Sequence, residues 1–213
     1  MKNVLIIGCG PGLGLSLAKI FGNHSNHISL ISRDIKKLQN YERILSLDNI
    51  PVEIEAADVC DLKSLQHALD KLQKKVSHFD IVIYNVASLR LKDLMQDSAE
   101  QMLIDYKINT LHALEVVKHL YDDLKKQKGT ILFTGGGFAL HPNPRFGSLS
   151  LGKAALRNLA QQLYKKLRRD KIFVGTVTIT DFINNKSDKY TPQKIAEQFY
   201  NLYLNKDQHE VIY

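Results

Sequence analysis

The sequence has only two cysteines and no long apolar run. Cys9 and Cys60 lie in unrelated settings and provide neither a disulfide framework nor the spacing of metal ligands, so we expect no metal and a reducing compartment, the cytoplasm. No apolar run approaches the ~20 residues that cross a bilayer, and we expect no membrane segment. The short apolar run near the start is needed as a strand, so we expect no signal peptide.

Positive charge exceeds negative charge, but it is spread along the chain. The formal net charge is +7, and the densest basic run, residues 165–171, falls at the end of a predicted helix, where cations complement the helix dipole. No recognisable nucleic-acid-binding motif accompanies this basic run, so we expect no nucleic-acid partner. The net positive charge still favours an anionic cofactor. A chain of 213 residues is long enough for one α/β domain, which we place over residues 1–213.

A glycine-rich turn joins the first predicted strand to the first predicted helix. Residues 4–7 form an apolar run typical of a buried strand, and residues 15–21 have the apolar spacing of a helix. The turn between them contains Gly8, Gly10, Gly12, Leu13 and Gly14. The pattern G-x-x-x-G-x-G, formed by the first, third and fourth of these glycines, presents amide N–H groups and a helix N-terminus to a phosphate. The alternative is a turn that binds no ligand.

The second predicted strand, residues 27–32, ends in Ser32 and is followed by Arg33. In a dinucleotide-binding fold this position contacts the adenosine ribose, where a carboxylate binds a 2′-hydroxyl and an arginine accommodates a 2′-phosphate. No carboxylate occurs before Asp34, which we expect to cap the next helix, residues 35–47. The sequence therefore predicts NADP(H) rather than NAD(H), unless Arg33 is only a surface residue.

Strand and helix patterns alternate along the rest of the chain. Further strands are predicted at residues 52–56, 79–84, 129–134, 172–178 and 209–213, and further helices at residues 62–75, 98–126 and 147–170 and from residue 192 onward. This alternation predicts a single-domain Rossmann fold, a doubly wound parallel sheet of about seven strands with helices on both faces.

Several polar residues follow these elements in a definite order. Asp58 and Val59 come after the third predicted strand, and residues 85–87, Asn85, Val86 and Ala87, come after the fourth. Asn109 lies inside the helix 98–126, and Lys153 lies in the helix that follows the fifth strand. Together with the glycine turn and Arg33, this order resembles that of the short-chain dehydrogenases/reductases over nearly the whole chain.

The resemblance implies a role for each of these residues. The glycine turn would hold a pyrophosphate, Asp58 and Val59 the adenine ring, and residues 85–87 the ribose beside the nicotinamide. Lys153 would hold the hydroxyls of that ribose, and Asn109 would support a water relay. Lys153 and Asn109 are thus the catalytic residues that the resemblance implies.

The resemblance also implies a serine at the end of the fifth strand and a tyrosine four residues before the lysine, which together bind and protonate the substrate oxygen. Here Gly136, or Gly135 if the alignment is one residue off, stands at the serine position, and Leu149 stands at the tyrosine position. Neither side chain can donate a hydrogen bond, so the proton donor is left open. The alternatives are a water held near Asn109 and Lys153, or one of the side chains of Ser148, Ser150, Thr134, His141, Tyr84 and Tyr190.

Two further expectations concern the lid and the partners. Only residues 179–190 are available for the lid that the family places over its substrate, so the site is expected to be poorly covered. The resemblance also implies a homodimer or homotetramer that packs through the helices 98–126 and 147–170.

Two functions remain open on the sequence alone. The first is an atypical NADP(H)-dependent oxidoreductase that acts on a small carbonyl, an alcohol or an activated double bond. The alternative is a catalytically inactive NADP(H)-binding pseudo-enzyme or redox sensor, which has no substrate.

Overall fold

Seven parallel strands form one sheet in the computed structural model, which describes residues 1–213. The strands are β1 (Asn3–Ile7), β2 (His27–Ser32), β3 (Val52–Ala56), β4 (Ile81–Tyr84), β5 (Thr130–Gly136), β6 (Phe173–Ile179) and β7 (Glu210–Ile212). Their order is β3-β2-β1-β4-β5-β6-β7, and every neighbouring pair is parallel. The predicted doubly wound sheet is confirmed, and its strand order reverses between β1 and β4, where a crevice opens at the carboxyl ends.

Eight α-helices cover this sheet. They are α1 (Leu13–Gly22), α2 (Ile35–Leu47), α3 (Leu62–Val76), α4 (Ala99–Tyr106), α5 (His112–His119), α6 (Tyr121–Gln127), α7 (Gly147–Leu167) and α8 (Pro192–Asn205). One buried apolar cluster joins the sheet to α3, α5, α6 and α7, and a second joins it to α1, α2 and α8. Helices therefore lie on both faces, as predicted. No helix combines the length and the apolar character that a membrane crossing requires.

The first strand illustrates why the centre of the sheet forms from this sequence. Val4 and Ile6 pack into one apolar cluster, Leu5 and Ile7 pack into the other, and all four are fully buried. Successive side chains of a strand point to opposite faces, so an uninterrupted apolar run suits a strand that is covered on both faces. The chain then leaves β1 at Gly8, beside the crevice.

The predicted helix starts are confirmed by side-chain caps. Asp34 and Asp61 each accept hydrogen bonds from two amides of the helix that follows, and Ser98 accepts one from the amide of Gln101. Thr191 caps α8, which begins at Pro192. Each cap satisfies amides that have no partner within the helix, which fixes where the chain enters it.

The prediction of one helix over residues 98–126 is wrong. A π turn, Lys107–Leu111, separates α4 from α5, and a second break at Leu120 separates α5 from α6. In the π turn, Asn109 Oδ1 accepts from the amide of Ser88 at 2.8 Å, and Thr110 Oγ1 donates to the carbonyl of Gly152 at 3.0 Å. These contacts outside the helix hold the extra residue that distinguishes a π turn from regular helix.

Some strand ends also differ from the prediction. β4 begins at Ile81 rather than at residue 79, and β6 is displaced by one residue toward the C-terminus. β5 continues through the first two glycines of the predicted loop because Gly135 and Gly136 pair with Thr178 and Ile179 of β6. Residues 180–191, between β6 and α8, form neither helix nor strand.

Candidate nucleotide-binding and active site

A groove of about 390 Å³ lies at the carboxyl ends of β1, β2, β3 and β4. Nine of the predicted cofactor residues line it: Gly8, Gly10, Ser32, Arg33, Asp58, Val59, Asn85, Val86 and Ala87. Gly12, Leu13 and Gly14 begin α1 beside the groove, and Lys153 lies deeper, below the end of β5. The groove is also lined by residues that the sequence did not indicate, namely Cys9, Ala57, Cys60, Ser88, Leu89 and Ile108.

The glycines of the turn have two different roles. Gly8 has φ +89°, and a Cβ there would lie 2.4 Å from the carbonyl oxygen of Asn85. At Gly14 a Cβ would lie 2.7 Å from the Cα of Cys9, so both positions require glycine for packing. Around Gly10 there is open space, with no atom within 4 Å of the position that a Cβ would take. The middle of the turn is therefore an open cradle that fits a pyrophosphate.

The start of α1 adds donors to this cradle. Gly12 precedes the helix and has no side chain to cap it. The amide of Leu15 donates to the carbonyl of Gly10 at 3.0 Å, which leaves the amides of Leu13 and Gly14 available to an anion. The thiol of Cys9 is buried in the turn, and burial raises its pKa to about 12, so it stays protonated.

One cationic side chain, Arg33, stands at the end of β2 beside two carboxylates. Arg33 lines the groove and is exposed. The neighbouring carboxylate of Asp34 accepts hydrogen bonds from the amides of Lys36 and Lys37 at 3.0 and 3.2 Å, as the cap of α2. The Asp58 carboxylate accepts from the amide of Cys60 at 2.9 Å. The guanidinium is thus the charged group at the end of β2 that is not used in a helix cap.

A chain of hydrogen bonds connects the glycine turn to Lys153. Asn85 Nδ2 donates to the carbonyl of Gly8 at 3.0 Å, and Thr134 Oγ1 donates to Asn85 Oδ1 at 2.8 Å. Lys153 Nζ in turn donates to the carbonyl of Thr134 at 2.7 Å. The Lys153 side chain comes from α7 and is only 6 % exposed, and burial lowers its pKa to about 8.

The end of β5 faces this lysine through Gly136. A Cβ at Gly136 would lie 3.5 Å from Lys153 Cγ, whereas a Cβ at Gly135 would lie 2.6 Å from Thr178 Oγ1. Position 136 is therefore on the lysine side of the strand, and position 135 points toward β6. Leu149, one helical turn before Lys153, is buried.

Most of the alternative proton donors already have hydrogen-bond partners. Tyr84 donates to the carbonyl of Ile108, Ser150 to the carbonyl of Phe146 and Thr134 to Asn85 Oδ1. Tyr190 is hydrogen-bonded to Thr180 Oγ1. Burial raises the pKa of Tyr84, so that its proton is held more firmly. His141 is exposed in the segment between β5 and α7.

Asn109 is fully buried and does not line the groove. Its Oδ1 holds the amide of Ser88, but its Nδ2 has no hydrogen-bond partner. Gly152 permits this close packing, because a Cβ there would lie 2.7 Å from Asn109 Cβ. No group of three or more His, Cys, Asp or Glu side chains is placed to hold a metal ion.

Named relatives cover most of this chain at low identity. The chain is 23 % identical over 182 residues to fatty acyl-CoA reductase from Acinetobacter baylyi, covering 83 % of this chain and 61 % of that protein. It is 25 % identical over 178 residues to the 3-dehydrosphinganine reductase TSC10B from Arabidopsis thaliana, covering 81 % and 53 %. It is 25 % identical over 207 residues to 3-oxoacyl-(acyl-carrier-protein) reductase from Rickettsia conorii, covering 91 % and 81 %. The chain thus spans little more than half the length of the first two.

Solved structures share the fold along nearly the whole chain. An alcohol dehydrogenase from the archaeon Thermococcus sibiricus, complexed with 5-hydroxy-NADP, is 22 % identical with a TM-score of 0.90, over 100 % of this chain and 96 % of that one. L-Sorbose reductase from Gluconobacter frateurii, complexed with NADPH and L-sorbose, is 19 % identical with a TM-score of 0.87, over 94 % and 89 %. At these identities the similarity establishes the fold alone.

The family assignment comes from the sequence of the whole site. The model of the short chain dehydrogenase family matches residues 2–191, which include the glycine turn, Arg33, Asn85, Asn109 and Lys153. This protein therefore belongs to the short chain dehydrogenase family.

Proposed function

We propose that the protein is an oxidoreductase that binds NADP(H) and transfers hydride to or from a carbonyl, an alcohol or an activated double bond. The observation that carries the proposal is the hydrogen-bonded connection from the glycine turn through Asn85 and Thr134 to the buried Lys153. Family membership supports it, as do the NADP-type cofactors of the two solved structures described above.

Different residues of the groove would bind different parts of the cofactor. The open cradle at Gly10 and the first-turn amides of α1 would bind the pyrophosphate, and Arg33 would bind the 2′-phosphate of the adenosine ribose. Because the Asp34 carboxylate caps α2, it is not directed at a 2′-hydroxyl, which favours NADP(H) over NAD(H). When bound, NADP(H) would supply or accept the hydride.

Lys153 is our candidate for the proton donor. By the family resemblance, Gly136 and Leu149 stand at the positions of the serine and the tyrosine, and the stem of Lys153 packs beside Gly136, with Lys153 Cγ 3.5 Å from the position that a Cβ would take. A substrate oxygen that reaches the end of β5 at Gly136 would therefore lie beside the lysine side chain. The oxygen of a reduced carbonyl needs a proton, and an ammonium with a pKa of about 8 is mostly protonated at neutral pH yet releases its proton readily. The carbonyl of Thr134 holds this ammonium in place.

A second function is favoured by the same two positions. With a glycine at 136 and a leucine at 149, the site holds no side-chain hydroxyl where the family has two. A protein that binds NADP(H) without turnover, as a redox sensor, would keep the residues of the groove and Lys153. Turnover separates the two functions.

The first experiment is a fluorescence titration of the nucleotide-free protein with NADPH and with NADH. We expect NADPH to bind more tightly, and Arg33→Ala to weaken it by ~10- to 100-fold, the value of a charge-assisted contact, with little change for NADH. Arg43→Ala is the matched control, since Arg43 is also exposed but lies on α2 outside the groove. Equal binding of both nucleotides would contradict the assignment of Arg33.

The second experiment measures oxidation of NADPH with a panel of aldehydes, ketones and activated alkenes. We expect turnover with a member of the panel and its loss in Lys153→Met. If NADPH binds and stabilises the protein but no compound is reduced, the sensor function replaces the oxidoreductase.

A further inference from the structure

Three phenylalanines form a wall beside the site, and none of them has a role in holding the cofactor. Phe138 and Phe146 are stacked with their ring centroids 5.1 Å apart, and Phe182 meets Phe138 edge-on at 6.5 Å. The three come from different segments: the turn after β5, the residue before α7, and residues 180–191. We call them the phenylalanine wall.

Two members of the wall lie on the segment that joins β5 to α7, the two elements where the chemistry is proposed. Phe138 lies two residues after Gly136, which packs against the stem of Lys153. Phe146 directly precedes α7, the helix that carries Lys153. A substrate whose reacting oxygen reaches the lysine would therefore have the segment that carries Phe138 and Phe146 beside its remaining atoms.

A second apolar segment is hydrogen-bonded to the residues that directly precede Phe146. Residues 89–95, which we call the leucine loop, contain Leu89, Leu91, Leu94 and Met95, all exposed. The amides of Lys92 and Leu94 donate to the carbonyls of Arg145 and Pro144, at 3.0 and 2.9 Å. The loop is thereby bonded to the chain immediately before Phe146.

An ionic cluster of Arg90 with the buried carboxylates of Asp97 and Asp105 holds the leucine loop in place. Arg90 Nε donates to Asp105 at 2.8 Å, and Arg90 Nη2 donates to Asp97 at 2.6 Å. Ser88 Oγ also donates to Asp105, at 2.6 Å. The two carboxylates are almost completely buried, so removing the arginine would leave unpaired charge in the interior. The loop is thus built to hold its apolar side chains at the surface.

Exposed apolar side chains that are concentrated beside a site mark a surface that binds something. Met95 is 90 % exposed, Leu91 62 % and Phe182 63 %, and all three are on segments that border the phenylalanine wall or belong to it. Leucine and methionine side chains adapt to flexible chains, while the rings provide flat apolar contact.

We propose that the substrate is a carbonyl compound with a long unbranched hydrocarbon chain, which lies between the phenylalanine wall and the leucine loop. This inference rests on the proposed function and narrows it, because a small carbonyl would leave both apolar surfaces in water. Because Phe138 and Phe146 lie between the strand that ends at Gly136 and the helix that carries Lys153, the substrate itself is favoured as the occupant over a second copy of the protein or a membrane.

The test compares propanal, hexanal and decanal as substrates for NADPH oxidation, in which the aldehyde gains a hydride and a proton and becomes the alcohol. We expect kcat/KM to rise by up to about fourfold for each added methylene, the value of its transfer out of water. Phe182→Ser and Met95→Ser should reduce the ratio of decanal to propanal activity, mainly through KM. Leu204→Ser, near the C-terminal end of α8 and 56 % exposed against 63 % for Phe182, should leave the ratio unchanged.

Each result separates this inference from the function on which it rests. Turnover of all three aldehydes with the same kcat/KM, or an unchanged ratio in Phe182→Ser, overturns the inference and leaves the oxidoreductase standing. If no aldehyde is reduced, calorimetry of decanol binding to the NADP-saturated protein decides whether the apolar surfaces bind a hydrocarbon chain. Binding that Phe182→Ser weakens and Leu204→Ser does not supports the apolar site alone, and no binding overturns it.

The same variants test the other occupants. A change of oligomeric state in Phe182→Ser and Met95→Ser, measured by light scattering, would assign the surface to a second copy. Loss of binding to phosphatidylcholine vesicles would assign it to a membrane. Either result, without a change in the aldehyde ratio, overturns the inference.

Discussion

Replacing Lys153 by methionine should make the nucleotide-free protein more stable while it removes the function. The side chain is 6 % exposed, and burial lowers its pKa from 10.5 to about 8. A difference of one in pKa corresponds to about 1.4 kcal/mol, so keeping the ammonium in the folded chain costs about 3 kcal/mol. Methionine is of similar length and uncharged, but it loses the hydrogen bond to the carbonyl of Thr134, worth about 1 kcal/mol. We expect a net gain of about 2 kcal/mol at neutral pH.

The dependence on pH identifies the cause of this gain. Below the folded-state pKa of about 8, the lysine is protonated in both states and the parent protein carries the full cost of the buried charge. Between about 8 and 10.5 the unfolded state binds more protons than the folded state, so the stability of the parent rises with pH. The advantage of Lys153→Met should therefore shrink as the pH rises through this range. The raised pKa values of Cys9 and Tyr84 affect both proteins alike and cancel in the difference.

Urea unfolding at a series of pH values measures this difference directly. Lys165→Met is the control, because Lys165 is exposed on the same helix and should change stability little. In the same samples NADPH should stabilise the parent more than Lys153→Met. A variant that is less stable than the parent at neutral pH, or an advantage that stays constant up to high pH, would refute the reasoning.

Three further predictions concern the glycine turn, positions 136 and 149, and the partners. Gly10→Ala should leave the melting temperature nearly unchanged but weaken NADPH binding, whereas Gly8→Ala, with φ +89° and a Cβ 2.4 Å from the Asn85 oxygen, should lower the melting temperature sharply. Gly136→Ser combined with Leu149→Tyr should raise the rate of carbonyl reduction, and a correctly folded double variant with no gain would count against the assignment of these two positions. Leu151 is 54 % exposed on α7, and if a second copy covers it, Leu151→Glu should convert a dimer or tetramer to monomer in light scattering.

The strand order and the residues of the cofactor groove could be predicted because they depend on local patterns. An apolar run followed by glycines marks a strand that ends at a turn, and alternation with helices leaves few topologies that satisfy right-handed crossovers. Residues at the carboxyl ends of adjacent strands then meet at one edge, which is why Gly8, Arg33, Asp58 and Asn85 line a single groove. Ile108 also lines the groove, but it belongs to the π turn. The position of that turn depends on contacts with Ser88 and Gly152, which no local sequence pattern predicts.

For the candidate catalytic site, the sequence did not determine whether position 135 or position 136 faces Lys153. A shift of one residue along a strand moves a side chain to the opposite face of the sheet, so Gly135 and Gly136 differ completely in what a side chain there would contact. The pairing of β5 with β6 decides the matter, because it turns position 135 toward Thr178 and position 136 toward Lys153. The cluster of Arg90 with Asp97 and Asp105 could not be predicted from the sequence, because it also depends on tertiary packing. Its members are 7 and 15 residues apart, and only the packing of the leucine loop over α4 brings these charges together. Two buried carboxylates and an arginine thus hold apolar side chains in water. In the complex that we propose, a bound hydrocarbon chain would return those side chains to an apolar environment.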